Sequence, residues 1–211
     1  MIGLCVCALS LSLLATAGTL PLNIGVPVDS LKPAELHDSF NEMHNGHRHE
    51  AIDIMRPRGT SVLTVTDGVI RKLFVSVQGG LTIYEFDRTE TYCYYYAHLD
   101  HYAAGLHEEM PVARGDVIGY VGTTGNAPPD APQLHFAIYR LGPDKSWWKG
   151  EPIDPYPILI RVVNSRNTGA ALHFFPSRQH VVELRNFYLD QAGATAGSPP
   201  FRMPERWHVQ C

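Results

Sequence analysis

Short runs of β-branched and aromatic residues, separated by turn residues, fill the sequence from residue 52 to residue 139. This pattern is typical of β-strands. It predicts six strands, which cover residues 62–65, 69–77, 81–86, 91–97, 117–121 and 133–139. Gly79-Gly80 and the polar run at residues 87–90 predict hairpin turns between consecutive strands. We expect an all-β, mostly antiparallel fold, because neither a βαβ alternation nor a long amphipathic helix interrupts the strands.

The sequence changes character on both sides of this β-rich region. Residues 21–45 are polar and mixed, and they predict an extended lead-in segment with at most one short helix. Residues 164–211 contain scattered Gly and Pro, and they predict an irregular C-terminal extension of unknown role with one helix near residues 179–190. We therefore place a single domain at residues 46–163.

The first 20 residues predict a signal peptide or an N-terminal membrane anchor. Residues 1–17 are apolar and end in Ala-Thr-Ala, a small-x-small pattern that signal peptidase cuts. The apolar run is shorter than the roughly 20 residues that a membrane-spanning helix needs. Export to the periplasm or cell envelope is therefore favoured. The absence of Lys and Arg before the run keeps membrane association through an anchor as the alternative.

Charge and length narrow the range of partners. The 211 residues include 17 Lys and Arg against 21 Asp and Glu, which gives a formal net charge of −4. A mildly acidic chain has no general attraction for nucleic acid, so we expect no nucleic-acid partner. The length suits one domain with appendages, and we expect a monomer.

Histidine is unusually frequent, with 11 copies, and it recurs beside predicted strands. A single strand histidine is more often a hydrogen-bonded core residue than a metal ligand, but histidines in three separate elements favour a metal site. Gln133 and His135 are two apart on a strand, so both side chains project from the same face. His49 and Asp53 are about 13 Å apart along a straight strand. The chain must therefore bend between them, most easily at the small Ala51.

The donor types available in these segments indicate which metal would bind. No two of the four cysteines have zinc-finger spacing, so a metal site must be built from histidines and carboxylates. Two neutral imidazoles and one carboxylate suit zinc. Three protein ligands would leave one position open for water, which is the catalytic rather than the structural arrangement.

Five segments, in order, resemble the lysostaphin-type, or LytM-type, zinc metallopeptidases. They are RHEAIDI (48–54), PRGTSVLTVTDGVI (57–70), YAHL (96–99), VARGDVIGYVGTTGN (112–126) and QLHF (133–136). The resemblance covers about residues 45–160. It implies a mostly antiparallel β sandwich with short helices and a groove that holds Zn²⁺. It also implies hydrolysis of peptide bonds in bacterial peptidoglycan.

The same resemblance implies roles for individual residues. The zinc ligands would be His49, Asp53 and His135, and His98 would be a catalytic partner. Gln133 stands where the family has the first histidine of His-x-His, which acts as a general base. An amide does not titrate near neutral pH, so Gln133 can orient water or substrate but cannot accept a proton. Losing a positioned base typically costs about 10²–10⁴-fold in rate.

Three functions remain open on these grounds. The leading hypothesis is an exported zinc metalloendopeptidase acting on peptidoglycan peptides, with His98 and Gln133 as its catalytic residues. The alternative is a catalytically impaired domain of the same fold that binds peptidoglycan or regulates another cell-wall hydrolase. The third is a β-sheet protein whose histidines are all structural. We interpret His44 and His101 as surface histidines.

Overall fold

A computed structural model of the chain describes residues 24–44 and 46–167. The leader predicted at residues 1–20, the helix predicted near residues 179–190 and most of the C-terminal extension lie outside the described residues. Within them, the strands are β1 Met43–His44, β2 His47–Arg48, β3 Ile52–Met55, β4 Ser61–Leu63, β5 Gly68–Ser76, β6 Gly80–Asp87, β7 Tyr92–Tyr102, β8 Met110–Val112, β9 Val117–Val121, β10 Gln133–Leu141 and β11 Gly150–Ile153. A 3₁₀-helix at Pro33–Glu35 precedes the strands and one α-helix, α1 Tyr156–Asn167, follows them.

Nine of these strands form one antiparallel sheet. Its main path runs β11-β10-β7-β6-β5-β8, while β3 pairs with β10 and β9 pairs with both β4 and β7. Strands β1 and β2 form a separate two-stranded ribbon. The prediction of a mostly antiparallel β fold with short helices is confirmed. Strand β10 is flanked by β7 on one side and by β3 and β11 on the other, so it brings distant parts of the sequence together.

All six predicted strands overlap observed ones, and both predicted hairpins form. Strands β5 and β6 pair across the Gly79-Gly80 turn, and β6 and β7 pair across the polar loop after Asp87. The largest difference is in β7, which continues to Tyr102 instead of ending at residue 97 and therefore includes His98. The hydrophobic pattern missed β1, β2, β3, β8 and β11 because strands of two to four residues are too short to show alternation.

The lead-in segment packs into the main hydrophobic core. Ile24, Val26 and Val28 alternate along it and are buried beside residues of the sheet. Val28 forms a β-bridge with Val62. All five residues from 24 to 28 are buried, so the first part of the lead-in segment belongs to the folded unit.

Helix α1 packs on the same core and contacts the 3₁₀-helix of the lead-in segment. The Asp154 carboxylate accepts a hydrogen bond from the backbone N–H of Tyr156, which satisfies a donor at the helix start. Ile158, Leu159 and Val163 are buried against the sheet. The helix continues past residue 163, the predicted end of the domain. No helix within residues 24–44 and 46–167 is both long enough and apolar enough to cross a membrane.

Candidate metal and catalytic site

His135 and Asp53 are direct neighbours on adjacent strands. In the antiparallel ladder of β3 and β10 the two residues are paired, so their side chains leave the sheet on the same face. The Nδ1 atom of His135 lies 3.1 Å from Oδ1 of Asp53. The strand register therefore joins two residues that are far apart in the sequence.

His49 reaches the same point from the turn that precedes β3. Its Nε2 atom lies 3.3 Å from Oδ2 of Asp53 and 3.1 Å from Nδ1 of His135. The bend predicted between His49 and Asp53 is present at Ala51, and the residue before it, Glu50, has a left-handed backbone at φ +54°. Ala51 is not among the residues with positive φ. An alanine is therefore tolerated there without backbone strain.

These three residues could hold a metal ion. One ligand atom from each of His49, Asp53 and His135 lies within 4.8 Å of the other two, and no other such group occurs in the part of the chain that the structure describes. Both histidines are buried, with 2% of their surface exposed. A cluster of two imidazole nitrogens and a carboxylate oxygen is repulsive unless a proton or a cation lies between them, and it matches the donor set that zinc prefers.

The contacts of each imidazole determine which nitrogen faces the cluster. Nδ1 of His49 lies 3.2 Å from the backbone carbonyl of Ser39, which can only accept, so Nδ1 carries the proton. The lone pair of Nε2 therefore points at Asp53. In His135 the arrangement is reversed, because Nδ1 faces the cluster while Nε2 is buried with no hydrogen-bond partner among the described residues.

Burial and charge shift the pKa values of the cluster in opposite directions. Burial acts to raise the pKa of Asp53, but interactions with the neighbouring His135 and His49 imidazoles outweigh it and hold that pKa well below its usual range. Burial lowers the pKa of His135. Burial also acts to lower the pKa of His49, but the Asp53 carboxylate outweighs it and raises that pKa overall. The cluster thus pairs an ionised carboxylate with a histidine held neutral by burial.

His98 enters the site through a bulge in β7. Two consecutive pairs of the ladder, Ile83–Tyr96 and Leu81–Leu99, enclose two residues on β7 but one on β6. His98 itself has φ +59°, a left-handed conformation that is uncommon for a residue with a side chain. An extra residue in one strand redirects the neighbouring side chains, and here it turns His98 toward the cluster.

The His98 imidazole is held in one orientation beside the cluster. Its Nδ1 atom donates to the backbone carbonyl of Thr124 at 2.9 Å, which leaves Nε2 as the acceptor nitrogen. Its ring centroid lies 5.7 Å from that of His135. Burial and the neighbouring His135 lower the pKa of His98, so the ring is neutral at neutral pH.

A cavity of about 340 Å³ opens onto these residues. Gln133 and His135 both line it, as expected for positions i and i+2 of one strand. The cavity is lined by His44, His49, Asp53, His98, Asn126, Ala127, Pro128, Gln133 and His135. The structure therefore brings together all five residues singled out from the sequence.

His44 is a cavity residue that the sequence reasoning assigned to the surface. It lies in β1, and its ring stacks on that of His49 with centroids 4.4 Å apart and planes 5° apart. Strands β1 and β2 pair with His44 opposite His47. A sequence signal for this placement is the Asn-Gly dipeptide that follows His44, since this dipeptide is typical of a tight hairpin turn. His101, the other histidine assigned to the surface, is exposed and pairs with Asp100.

The chain is similar in sequence to known peptidases. The chain is 34% identical over 116 residues to the L-Ala–D-Glu endopeptidase of Bacillus subtilis strain 168, an alignment that covers 53% of this chain and 34% of the relative. It is 32% identical over 122 residues to the DD-carboxypeptidase/endopeptidase Mpg of Neisseria meningitidis, which covers 56% and 24%. The aligned region thus spans about a third or less of these curated relatives.

Solved structures share the same architecture. The putative glycyl-glycine endopeptidase lytM of Ruminococcus gnavus superposes with a TM-score of 0.54 at 29% identity, over 68% of this chain and 60% of that one. Lysostaphin of Staphylococcus simulans superposes with a TM-score of 0.53 at 22% identity, over 73% and 61%, a likeness of fold alone. Residues 47–155, about half of the chain and including all five residues singled out above, match the family described as Peptidase family M23. This chain belongs to peptidase family M23.

Proposed function

We propose that this protein is a zinc metalloendopeptidase that hydrolyses peptide bonds of bacterial cell-wall peptidoglycan. The observation that carries the proposal is the convergence of His49, Asp53 and His135 on one point of a cavity. The relatives support the substrate class, since one is named for cleaving an L-Ala–D-Glu bond. D-amino acids are typical of cell-wall peptides and absent from ribosomally made protein chains.

His49 through Nε2, His135 through Nδ1 and Asp53 through its carboxylate would hold the zinc ion. Three protein ligands leave a coordination position open, as in catalytic zinc sites. When bound, zinc would act as a Lewis acid that polarises the scissile carbonyl and lowers the pKa of the attacking water. His49 is buried and hydrogen-bonded to Ser39 through Nδ1, which would keep its donor atom in place with little reorganisation.

His98 would act as the general acid and base of the reaction. Its Nδ1–H is occupied by the carbonyl of Thr124, so Nε2 is the nitrogen that can accept a proton from water or donate one to the departing amine. The lowered pKa keeps this acceptor unprotonated near neutral pH. Gln133, on the same cavity, would orient water or the substrate by hydrogen bonding through its amide.

Gln133 is also the observation that favours the second candidate. With an amide in place of a base beside the metal ligands, the domain could bind peptidoglycan or regulate another cell-wall hydrolase without cleaving its ligand. Both candidates require contact with the cell wall, and we propose export to the periplasm or cell envelope. The apolar segment that ends in Ala-Thr-Ala at residue 17 supports this localisation.

A single set of measurements separates these possibilities. The zinc content of the purified full chain is measured first, and the zinc-loaded protein is then incubated with purified sacculi. We expect about one zinc per chain and release of soluble muropeptides. Asp53→Ala should abolish both, while Asp29→Ala, which removes an exposed carboxylate outside the cavity, should retain both.

Each contrary outcome identifies one of the other functions. Bound zinc and sacculus binding without release would favour the binding or regulatory domain. A wild-type chain that binds no zinc would leave only structural roles for the histidines.

A further inference from the structure

We propose that residues 39–44, which precede the family match at residue 47, are a positioning segment that holds the His49 imidazole ready for metal binding. The inference rests on the proposed function, since it takes His49 to be a zinc ligand. Three separate contacts support it. They fix the backbone, the outer ring nitrogen and one face of the His49 ring.

Ser39 fixes the nitrogen that points away from the cluster. Nδ1 of His49 lies 3.2 Å from the Ser39 carbonyl oxygen and also 3.2 Å from its Oγ. The carbonyl can only accept, so Nδ1 must be the protonated nitrogen and Nε2 must present its lone pair to Asp53. Ser39 is buried, with 5% of its surface exposed, so water does not replace these bonds easily.

His44 fixes the plane of the ring. The His44 and His49 rings are nearly parallel, 5° apart, with centroids 4.4 Å apart. The Glu42 carboxylate lies 3.5 Å from Nε2 of His44. A histidine χ2 torsion is broad by itself, so packing on the ring face restricts the direction in which Nε2 points.

Glu42 fixes the backbone at the same place. Its carbonyl oxygen accepts the backbone N–H of His49 at 2.8 Å. The next residue repeats the pattern, since the N–H of Glu50 donates to the carbonyl of Phe40 at 2.9 Å. Residues 39–44 therefore contact His49 both at its main chain and at its side chain. Such partners of ligating histidines typically change metal affinity by about 10–100-fold when they are removed.

A positioning role predicts effects that simple packing does not. Ser39→Ala removes the hydroxyl but leaves the carbonyl acceptor, and His44→Ala removes the stacked ring. We expect each to weaken Zn²⁺ affinity about tenfold. Ser39→Thr retains a hydroxyl, and His44→Phe retains an aromatic face. Both should restore most of the affinity.

The test is a chelator competition for Zn²⁺ on the full chain, with the melting temperature of each metal-free variant measured in parallel. Thr64→Val is the matched control, because it also removes a buried hydroxyl that is hydrogen-bonded to a carbonyl, that of Ala113, outside the cavity. It should lower the melting temperature and leave the affinity unchanged.

Two results would overturn the inference while zinc binding by the wild-type chain stands. One is unchanged affinity in both alanine variants. The other is an equal loss of affinity in Thr64→Val, which would indicate general destabilisation. A wild-type chain without zinc affinity would instead refute the proposed function, and the inference with it.

Discussion

The imidazoles of His98 and His135 lie against each other, with ring centroids 5.7 Å apart and planes 77° apart. Regular alternation would separate them, because Ala97 rather than His98 is paired with His135 in the ladder of β7 and β10. The bulge in β7 and the left-handed backbone of His98, at φ +59°, bring the ring to the face of His135. A strained residue at a candidate catalytic position is a known pattern in proteins, since function can maintain a conformation that local sterics disfavour.

The backbone of His98 should therefore carry a measurable energetic cost. Glycine adopts positive φ freely, whereas for a residue with a Cβ atom this conformation costs roughly 1–2 kcal/mol. We expect His98→Gly to be more stable than His98→Ala by about 1 kcal/mol in chemical unfolding. At His101, which is exposed on the same strand and has no positive φ, the order should reverse, with glycine the less stable variant. The same order at both positions would contradict the strain.

A histidine at position 133 should increase hydrolysis. Gln133 lines the cavity on the same strand face as His135, so Gln133→His would supply a titratable group where the chain has an amide. A positioned base typically contributes about 10²–10⁴-fold, and we expect a rise of about 10²-fold in muropeptide release. Zinc stoichiometry should not change. Gln133→Asn, which keeps an amide, serves as the control, and an unchanged rate in Gln133→His would mean that His98 alone meets the need for a base.

Stability should fall as pH rises, because of a buried carboxyl group away from the cavity. Glu85 is fully buried and accepts hydrogen bonds from the Tyr96 hydroxyl and from the N–H groups of Val65 and Thr66. Burial raises the pKa of Glu85 from 4.5 to about 8. The three hydrogen bonds act to lower this pKa, whereas the negative charge of the nearby Asp67 acts to raise it. The folded state therefore binds more protons than the unfolded state between those two values.

The sign follows directly from this difference in bound protons. The contribution of Glu85 to stability is present below pH 4.5 and is lost as pH rises toward about 8. We expect the free energy of unfolding to decrease on the order of 2 kcal/mol more in the wild type than in Glu85→Gln over this interval. Urea unfolding at about pH 5 and about pH 8, which together span most of this interval, measures the decrease in both proteins. If the free energy of unfolding decreased equally in the wild type and in Glu85→Gln, Glu85 would be ionised in the folded state.

Gly80 should tolerate no side chain, because two loops meet there. A Cβ atom at Gly80 would lie 2.2 Å from Oγ1 of Thr124 and 2.5 Å from the backbone nitrogen of Gly125, and φ is +64°. Gly80→Ala should therefore destabilise the protein by more than about 2 kcal/mol, the left-handed penalty plus the clash. Since Thr124 also accepts the His98 hydrogen bond, activity should fall as well.

The control for Gly80 is a glycine with the same backbone conformation and open surroundings. Gly59 has φ +84°, and no atom lies within 4 Å of the position that a Cβ atom would take there, so Gly59→Ala isolates the backbone penalty. This substitution should cost about 1 kcal/mol and leave activity intact. If Gly80→Ala reduced the free energy of unfolding by no more than Gly59→Ala, the two loops would not approach each other as closely at Gly80 as the structure shows.

The local pattern of residues determined much of the fold. Alternation and turn residues located six strands and both hairpins, because these signals are short-range and depend only on neighbouring positions. The two-residue spacing of Gln133 and His135 placed both on one face of a strand for the same reason. The need for a bend between His49 and Asp53 also followed from strand geometry alone. These features require no knowledge of what packs against the segment.

Tertiary structure alone decided the rest. The pairing of His135 with Asp53 depends on a register between strands that are distant in the sequence. The direction of the His98 side chain depends on a bulge in β7 that interrupts the alternation of side chains along the strand. Ser39 and His44 reach His49 only because main-chain hydrogen bonds with Glu42 and Phe40 hold residues 39–44 beside it. A local pattern reports which side of its own element a residue occupies, whereas a site depends on which elements meet, and that is determined by long-range packing and hydrogen bonding.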